Sequence, residues 1–280
     1  MTLSHPQVLR SFLEEAGFAA QKRLSQHFLV DRSVIQSMVT AAQAEGVSRV
    51  VEIGPGPGAI TEALLLAGMR VCAVELDRGF SQALRDRHWD GLTLIEGDAL
   101  KVSLDVLLAG GAEALVSNLP YAITAPILAR FLPLHHQLKR LVVMMQLEVA
   151  ERILASPGTK QWGLLSLLVQ GYATPHLVRR VPAAAVRPVP KVDAAVLCLS
   201  LHPPDPVLEL ALELARHAFQ QRRKMLRSSL RGMLVGRDVA RLLVVAGLSP
   251  EQRPEQLSLD QWLTLARMVL AIDKSPDPNG

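Results

Sequence analysis

Asn118, Leu119, Pro120 and Tyr121 stand directly after an apolar run that ends at Ser117, and their residue types could activate a poor nucleophile. The exocyclic nitrogen of adenine has its lone pair delocalised into the ring. Two hydrogen-bond acceptors placed on its amino hydrogens draw that pair back toward the direction of attack. The Asn118 side-chain carbonyl and a backbone carbonyl held in place by Pro120 can be those acceptors, while Tyr121 offers a flat surface to an unstacked base. An Asn-Pro turn over a buried tyrosine would show the same residues with no chemistry. The neighbouring motifs decide between the two.

Three such motifs precede it. Gly54, Gly56 and Gly58 alternate with Pro55 and Pro57 after Val51, Glu52 and Ile53, a turn whose glycines admit a ligand close to the backbone. The spacing is G-x-G-x-G, not the G-x-G-x-x-G of dinucleotide folds, and no Lys-Ser/Thr pair follows as in a phosphate-cradling loop. Taken alone, the segment could be only a tight strand-to-helix turn. Glu75, in Val74-Glu75-Leu76-Asp77, follows about 20 residues later, where an acid can hold a ribose diol. A solvated strand-end carboxylate is the plainer alternative. Asp98, between Gly97 and Ala99, ends the next strand and could accept from an adenine amino group. All lie at carboxyl ends of successive strands, where open α/β sheets bind ligands.

The elements that must position these groups are strands expected at 49–53, 70–75, 92–96, 114–117, 140–145 and 194–199, with helices at 60–67, 80–87 and 125–131. This alternation predicts an α/β fold with a parallel sheet covered on both faces. His202, Pro203, Pro204, Asp205 and Pro206 form a proline-dense break, after which residues 207–270 read as helices. The expected division is a catalytic domain at 1–203 with an N-terminal lid segment at 1–48, a helical domain at 204–273 and a flexible tail at 274–280.

The 280 residues are 49% hydrophobic and 20% charged, as in a folded chain and unlike a disordered one. A net charge of +4 permits a phosphate-bearing partner without demanding one. Apolar stretches fall well short of the ~20 residues that cross a bilayer, and no basic segment with an apolar core opens the chain; a cytoplasmic protein with no membrane partner is expected. Cys72 and Cys198 read as buried, reduced thiols. His135 and His136 have no third ligand in view, so no metal is expected. Arg216, Arg222, Arg223, Lys224, Arg227 and Arg231 cluster without an intervening acid. On one helix Arg223, Arg227 and Arg231 would form a ridge suited to RNA phosphates; the alternative is a solvated face whose stems cover the core. Lys22 and Arg23 could extend it. An aromatic content of 4% argues against a wide stacking platform and for shape, phosphate contacts and one flipped base.

Taken together these segments resemble the KsgA-type family of rRNA adenine-N6 dimethyltransferases. The resemblance runs through Gln26-His27-Phe28-Leu29, Glu52 to Gly58, Val74 to Asp77, Gly97 to Ala99 and Asn118 to Tyr121. It continues in Gln146 with Glu148 to Arg152, in Pro190 to Asp193, and in Phe219 with Gln221 to Lys224. It implies a Rossmann-like class I methyltransferase sheet with a small all-helical C-terminal domain. It implies S-adenosylmethionine across the strand ends at His27, Leu29, Gly54, Gly56, Glu75, Asp98 and Asn118, with Glu75 on the ribose. Asn118 to Tyr121 would be catalytic, and Arg222, Arg223, Lys224 and Arg227 would bind RNA. The implied substrate is small-subunit rRNA, where two adjacent adenosines of the 3′-terminal hairpin loop each take two methyl groups. The expected enzyme is a monomer using in-line attack on the sulfonium methyl, without metal or a dedicated strong base.

Four positions depart from the family pattern. Val186 stands where relatives usually carry a Phe that helps sandwich the base, Ala122 replaces a larger or polar residue, Leu147 a common Lys, and Ser25 a usual Gly. Two rival readings follow. One is a large-subunit rRNA methyltransferase conferring antibiotic resistance, against which the Arg-Arg-Lys segment argues. The other is an assembly factor with little catalysis, suggested by Val186 and Ala122.

Overall fold

A computed structural model describes residues 27–221 and 224–274; Lys22, Arg23, Ser25, Gln26, Arg222, Arg223 and most of the tail lie outside the described residues. The chain divides into two units. One runs to Ala150 and resumes over Ala173–His202; the other takes Glu151–Tyr172 and the residues from Pro203 onward. The linear division expected near residue 203 therefore gives way to one in which Glu151–Tyr172 cross into the helical unit. Packing is the reason: Trp162, fully buried, donates its indole N–H to the Leu257 carbonyl at 2.9 Å.

The first unit is built on β2 (Arg49–Ile53), β3 (Arg70–Glu75), β4 (Leu92–Glu96), β5 (Ala114–Asn118), β6 (Arg140–Gln146), β7 (Ala173–Val181) and β9 (Ala194–Leu201), in the order β4-β3-β2-β5-β6-β9-β7. The first five are parallel neighbours. β9 pairs antiparallel with β6 and with β7, so the sheet is mixed, not parallel throughout. Only β9 runs against the others: β7, antiparallel to β9 in turn, is parallel to β6, and β9 follows it in the chain as its antiparallel neighbour. The central strands are near-continuous apolar runs because both faces are covered. On one face α1 (Arg32–Gln43) buries Val34, Ile35, Met38, Val39 and Ala42, a helical stripe, against Val50, Val71, Val116 and Val142. Asp31 caps it, accepting from Ser33 N at 2.8 Å and Val34 N at 3.2 Å. Full burial of a side chain such as Met38 is worth about 1.5–3 kcal/mol.

Two short strands complete the unit. β1 (Phe28–Leu29) pairs antiparallel with β8 (Val186–Arg187), Phe28 opposite Arg187 and Leu29 opposite Val186. The Arg187–Pro188 bond is cis. Cys198 is buried, but Cys72 is partly exposed, which corrects the expectation of two buried thiols; it sits near the amino edge of β3.

In the second unit α8 (Leu208–Phe219) carries Arg216 in its last turn and ends before the rest of the basic cluster, and α9 (Leu226–Ser229) is a single turn. The single-helix ridge through Arg227 and Arg231 is therefore absent. Its backbone bonds go elsewhere: Leu226 N donates to Gln252 O and Arg227 N to Pro250 O. Lys224, Arg227 and Arg231 remain exposed, and Leu226 and Leu230 are buried. No helix among the described residues is long and apolar enough to cross a membrane.

Candidate active site

The sheet reverses its order of connection between β2 and β5, and the carboxyl ends of β2 to β5 open there onto a cleft of about 300 Å³. This is the position at which open α/β sheets bind ligands. Ser117 ties the two strands at the switch point, its hydroxyl donating to Ile53 O at 2.6 Å. His27, Leu29, Gly54, Gly56, Glu75, Asp98 and Asn118 all line the cleft, as do Leu119, Pro120 and Tyr121. The motifs read separately from the sequence thus share one cavity. Lys224 and Arg227 do not line it, belonging to the other unit.

The glycine turn and the acid are built as one piece. Gly54 N donates to Val74 O and Gly97 N to Glu75 O, extending the ladders past the strand ends. Glu75 accepts from Gly56 N through Oε2 and from Asp77 N through Oε1, both at 2.9 Å. Asp77 then caps α3 (Arg78–Arg85), accepting from Gly79 N and Phe80 N. Burial pushes the Glu75 carboxyl up, and the backbone N–H groups of Asp77 and Gly56 hold it down. Leu76, next to it, is 55% exposed and faces the cleft with Leu100. Asp98 accepts from Leu100 N at 2.9 Å and lies 3.8 Å from Lys101 Nζ.

Gly56 has φ +54°, and a Cβ on it would lie 3.2 Å from Cε1 and 3.3 Å from Cδ1 of Phe28. Phe28 in turn meets Phe80 edge to face at 5.4 Å. A Gly56→Ala variant would carry the left-handed penalty of about 1–2 kcal/mol and displace Phe28. Calorimetry is expected to show cofactor affinity down about tenfold and Tm lower by several degrees; unchanged affinity would remove Phe28 from the ligand wall.

Behind the turn, Glu52 is 1% exposed and accepts the Thr61 hydroxyl proton at 2.7 Å. Burial raises its pKa to about 8, with the Thr61 bond opposing and the charge of Glu75 adding to the rise. A carboxyl whose folded pKa is raised binds its proton more tightly folded than unfolded. Its stabilising effect is thus greatest below about pH 4.5 and is lost as pH rises toward 8. At about 1.4 kcal/mol per pH unit, and with the folded group half ionised by pH 8, a fall of about 2 kcal/mol is expected between pH 6 and 8. Urea midpoints for Glu52→Gln should stay flat over that range; parallel curves for the two proteins would show that another group titrates.

Asn118 ends β5 in register with Met144, and Leu119 N donates to Met144 O at 3.0 Å. The Asn118 Nδ2 donates to the His27 carbonyl at 2.7 Å, which turns Oδ1 toward the cleft as an acceptor. The Pro120 carbonyl is already engaged, accepting from Ile123 N and Thr124 Oγ1. Tyr121 is half-buried and stacks on His27, with centroids 5.7 Å apart and planes at 28°. Burial pushes its phenol up, so it stays protonated. His27 Nδ1 lies 2.9 Å from Pro188 O.

Val186 corrects an expectation. It is 1% exposed, opposite Leu29 in the core, and is not among the residues lining the cleft; Ala122 is. A base-stacking deficit at Val186 therefore finds no support in its position. Sequence reasoning also passed over Phe28, Leu76, Phe80 and Leu100 as cleft residues. The adjacency of Leu76 to Glu75 and Leu100 to Asp98 was the available signal.

A seven-stranded sheet with one reversed strand, a glycine turn tied to a strand-end acid, and an Asn-Leu-Pro-Tyr turn at the switch point define a class I methyltransferase. The comparisons narrow this. A family model described as "Ribosomal RNA adenine dimethylase" matches residues 17–270. The chain is 42% identical over 265 residues, 90% of this chain and 97% of the relative, to the ribosomal RNA small subunit methyltransferase A of Synechococcus sp. (strain CC9605). It is 41% identical over 254 residues, 89% and 96% of the two chains, to that of Syntrophotalea carbinolica. This chain belongs to the ribosomal RNA adenine dimethylase family. Solved structures with the same fold include a dimethyladenosine transferase from Plasmodium falciparum (TM-score 0.72, 24% identity, 88% of this chain and 98% of that one). The 23S rRNA methyltransferase ErmE is another (TM-score 0.64, 24% identity, 86% and 98%).

Proposed function

We propose that the cleft transfers methyl groups from S-adenosylmethionine to the exocyclic N6 of adenosines in small-subunit rRNA, two on each of two adjacent adenosines in the 3′-terminal hairpin loop. The observation that carries this reading is the Asn118 amide. Its donor side is taken by the His27 carbonyl at 2.7 Å, so Oδ1 is fixed as an acceptor beside the Leu119 carbonyl. Two acceptors on one amino group draw the adenine lone pair out of conjugation.

The residues present fit the cofactor. Gly56 leaves room that a Cβ would take. Glu75 is seated by two backbone N–H groups with lone pairs left for two ribose hydroxyls. Asp98 keeps an acceptor for the adenine amino group, and Leu76 and Leu100 offer apolar surface to the ring. When bound, the cofactor supplies an electrophilic sulfonium methyl. Asn118 and Leu119 orient the attacking nitrogen, and their hydrogen bonds strengthen as it becomes tetrahedral and its N–H acidic. Tyr121, stacked on His27, supplies a flat wall for the base. The proton passes to solvent, since the phenol is held protonated. In the helical unit, exposed Lys224 and Arg227 take RNA phosphates together with Arg222 and Arg223 of the sequence.

The test incubates the protein and methyl-labelled cofactor with small subunits lacking the modification, and separately with large subunits. Label mapped as dimethyladenosine in the small-subunit 3′ hairpin is expected. Label confined to large subunits would overturn the choice of substrate, and tight small-subunit binding without label would make the protein an assembly factor.

A further inference from the structure

A second cavity, of about 400 Å³, opens at the other end of the same strands. It is lined by Arg49, Arg70, Cys72, Thr93, Leu107 and the Gly110–Ala112 turn, among others. Five strand residues separate the two ends, about 16 Å at 3.3 Å per residue, so this pocket is no extension of the cleft. Strand register sets its chemistry. Arg49 pairs with Arg70 and Cys72 with Thr93. Residues two apart on a strand share a face, so both guanidinium stems, the thiol and the hydroxyl project from one side of the sheet. The turn after the helix Leu104–Leu108 closes over that side.

Like charges side by side on neighbouring strands are destabilising, and here nothing among the described residues neutralises them. No carboxylate lines the pocket. Glu113, next in the chain to the lining residue Ala112, is occupied: it accepts from Ser48 N and Ser48 Oγ through Oε2 and pairs with Lys139 through Oε1 at 3.0 Å. Gly111, at φ +71°, completes the arrangement. A Cβ there would come within 3.0 Å of Arg49 Nη1, so the missing side chain is what lets this guanidinium lie across the turn. Two forked cations without an internal counter-charge, lining a cavity together with an exposed hydroxyl, match the oxygens of a phosphate.

We infer that this amino-end pocket binds a phosphate group through Arg49 and Arg70, on a ligand whose remainder reaches toward Cys72 and Thr93. The phosphate belongs either to an RNA backbone or to a free phosphorylated small molecule. The inference does not depend on the reading of the cleft, which lies at the opposite strand ends.

The test compares the wild type with Arg49→Gln/Arg70→Gln and Arg49→Lys/Arg70→Lys variants. Both positions are exposed first residues of strands, and cofactor affinity reports that the fold and cleft are intact. Inorganic pyrophosphate is the probe, with binding read by titration calorimetry and by the rate at which a maleimide labels Cys72. If the ligand is a free phosphorylated molecule, pyrophosphate binds the wild type and slows labelling. Its affinity then falls at least tenfold in the Gln pair and less in the Lys pair. If the phosphate is an RNA phosphate, the slope of log K against log salt for small-subunit binding drops by about 1–2 in the Gln pair. Neither pyrophosphate binding nor a changed salt slope, with cofactor affinity intact, would overturn the inference. Failure of the cleft reading would instead appear as absent methyl transfer, with either result at this pocket.

Discussion

Asn118→Ala should lower kcat for adenine methylation by about 10²- to 10³-fold, the cost of deleting one acceptor that works mainly in the transition state. Two consequences of the same bond make the result specific. Removing the amide frees the His27 carbonyl, so cofactor binding should weaken too, but only a few-fold, because Glu75 and the glycine turn are untouched. Asn118→Asp separates donor from acceptor. A carboxylate there faces the His27 carbonyl oxygen without a proton to give, and both are pushed apart. Protonating one of its oxygens restores the donor and keeps the acceptor. Single-turnover rates for Asn118→Asp should therefore rise as pH falls, opposite to a wild type whose adenine must lose a proton. A kcat within threefold of wild type for Asn118→Ala would remove Asn118 from the chemistry.

Glu75→Ala should raise the dissociation constant for S-adenosylmethionine about 100-fold. Hydrogen bonds to a charged group are worth about 1.5–3 kcal/mol each, so losing those to two ribose hydroxyls is at least 3 kcal/mol, and about 1.4 kcal/mol is a factor of ten. Glu75→Gln tests whether the seating of the acid matters as well as its charge. Both its oxygens accept from backbone donors, Gly56 N and Asp77 N, and an amide has only one oxygen. The Gln variant must point its NH₂ at one of these donors, so its affinity should fall nearly as far as that of Ala. Rates at saturating cofactor should stay close to wild type in both variants. Equilibrium dialysis showing Gln within threefold of wild type would mean that Glu75 does not hold the ribose.

The parts of the fold legible in the sequence were those whose residues report their own surroundings. β2, β3 and β4 were placed at their observed bounds: β2 and β3 because strands buried on both faces read as unbroken aliphatic runs, and the edge strand β4 because Leu92, Leu94 and Ile95 still mark it. β5, β6 and β9 ended one or two residues later than expected, and the helices began or ended within two residues. β7 was missed. It is an edge strand, with Pro175, His176, Arg179 and Arg180, and one-sided exposure erases the apolar signal that a central strand carries. The direction of β9 was equally invisible, since it follows from antiparallel pairing with β7, a strand the apolar pattern does not reveal. At the site, each strand-end residue was identifiable by its spacing. What no local pattern held was the bond from Asn118 to His27, across 91 residues, or the burial of Val186 by its pairing with Leu29. The basic ridge failed for the reverse reason: helical spacing was present, but backbone partners at Pro250 and Gln252 outcompeted the helix.

The β1–β8 pairing has a consequence for how the protein comes into being. His27 reaches Pro188 across 161 residues of chain, and Phe28 and Leu29 pair only with Arg187 and Val186. During synthesis at about 5–20 residues per second, the first strand leaves the exit tunnel roughly 8 to 30 s before its partner. The sheet core can assemble in that interval, but the wall carrying His27 and Phe28 cannot be fixed. Methyl-transfer competence therefore arrives late in translation, as a property of the nearly finished chain.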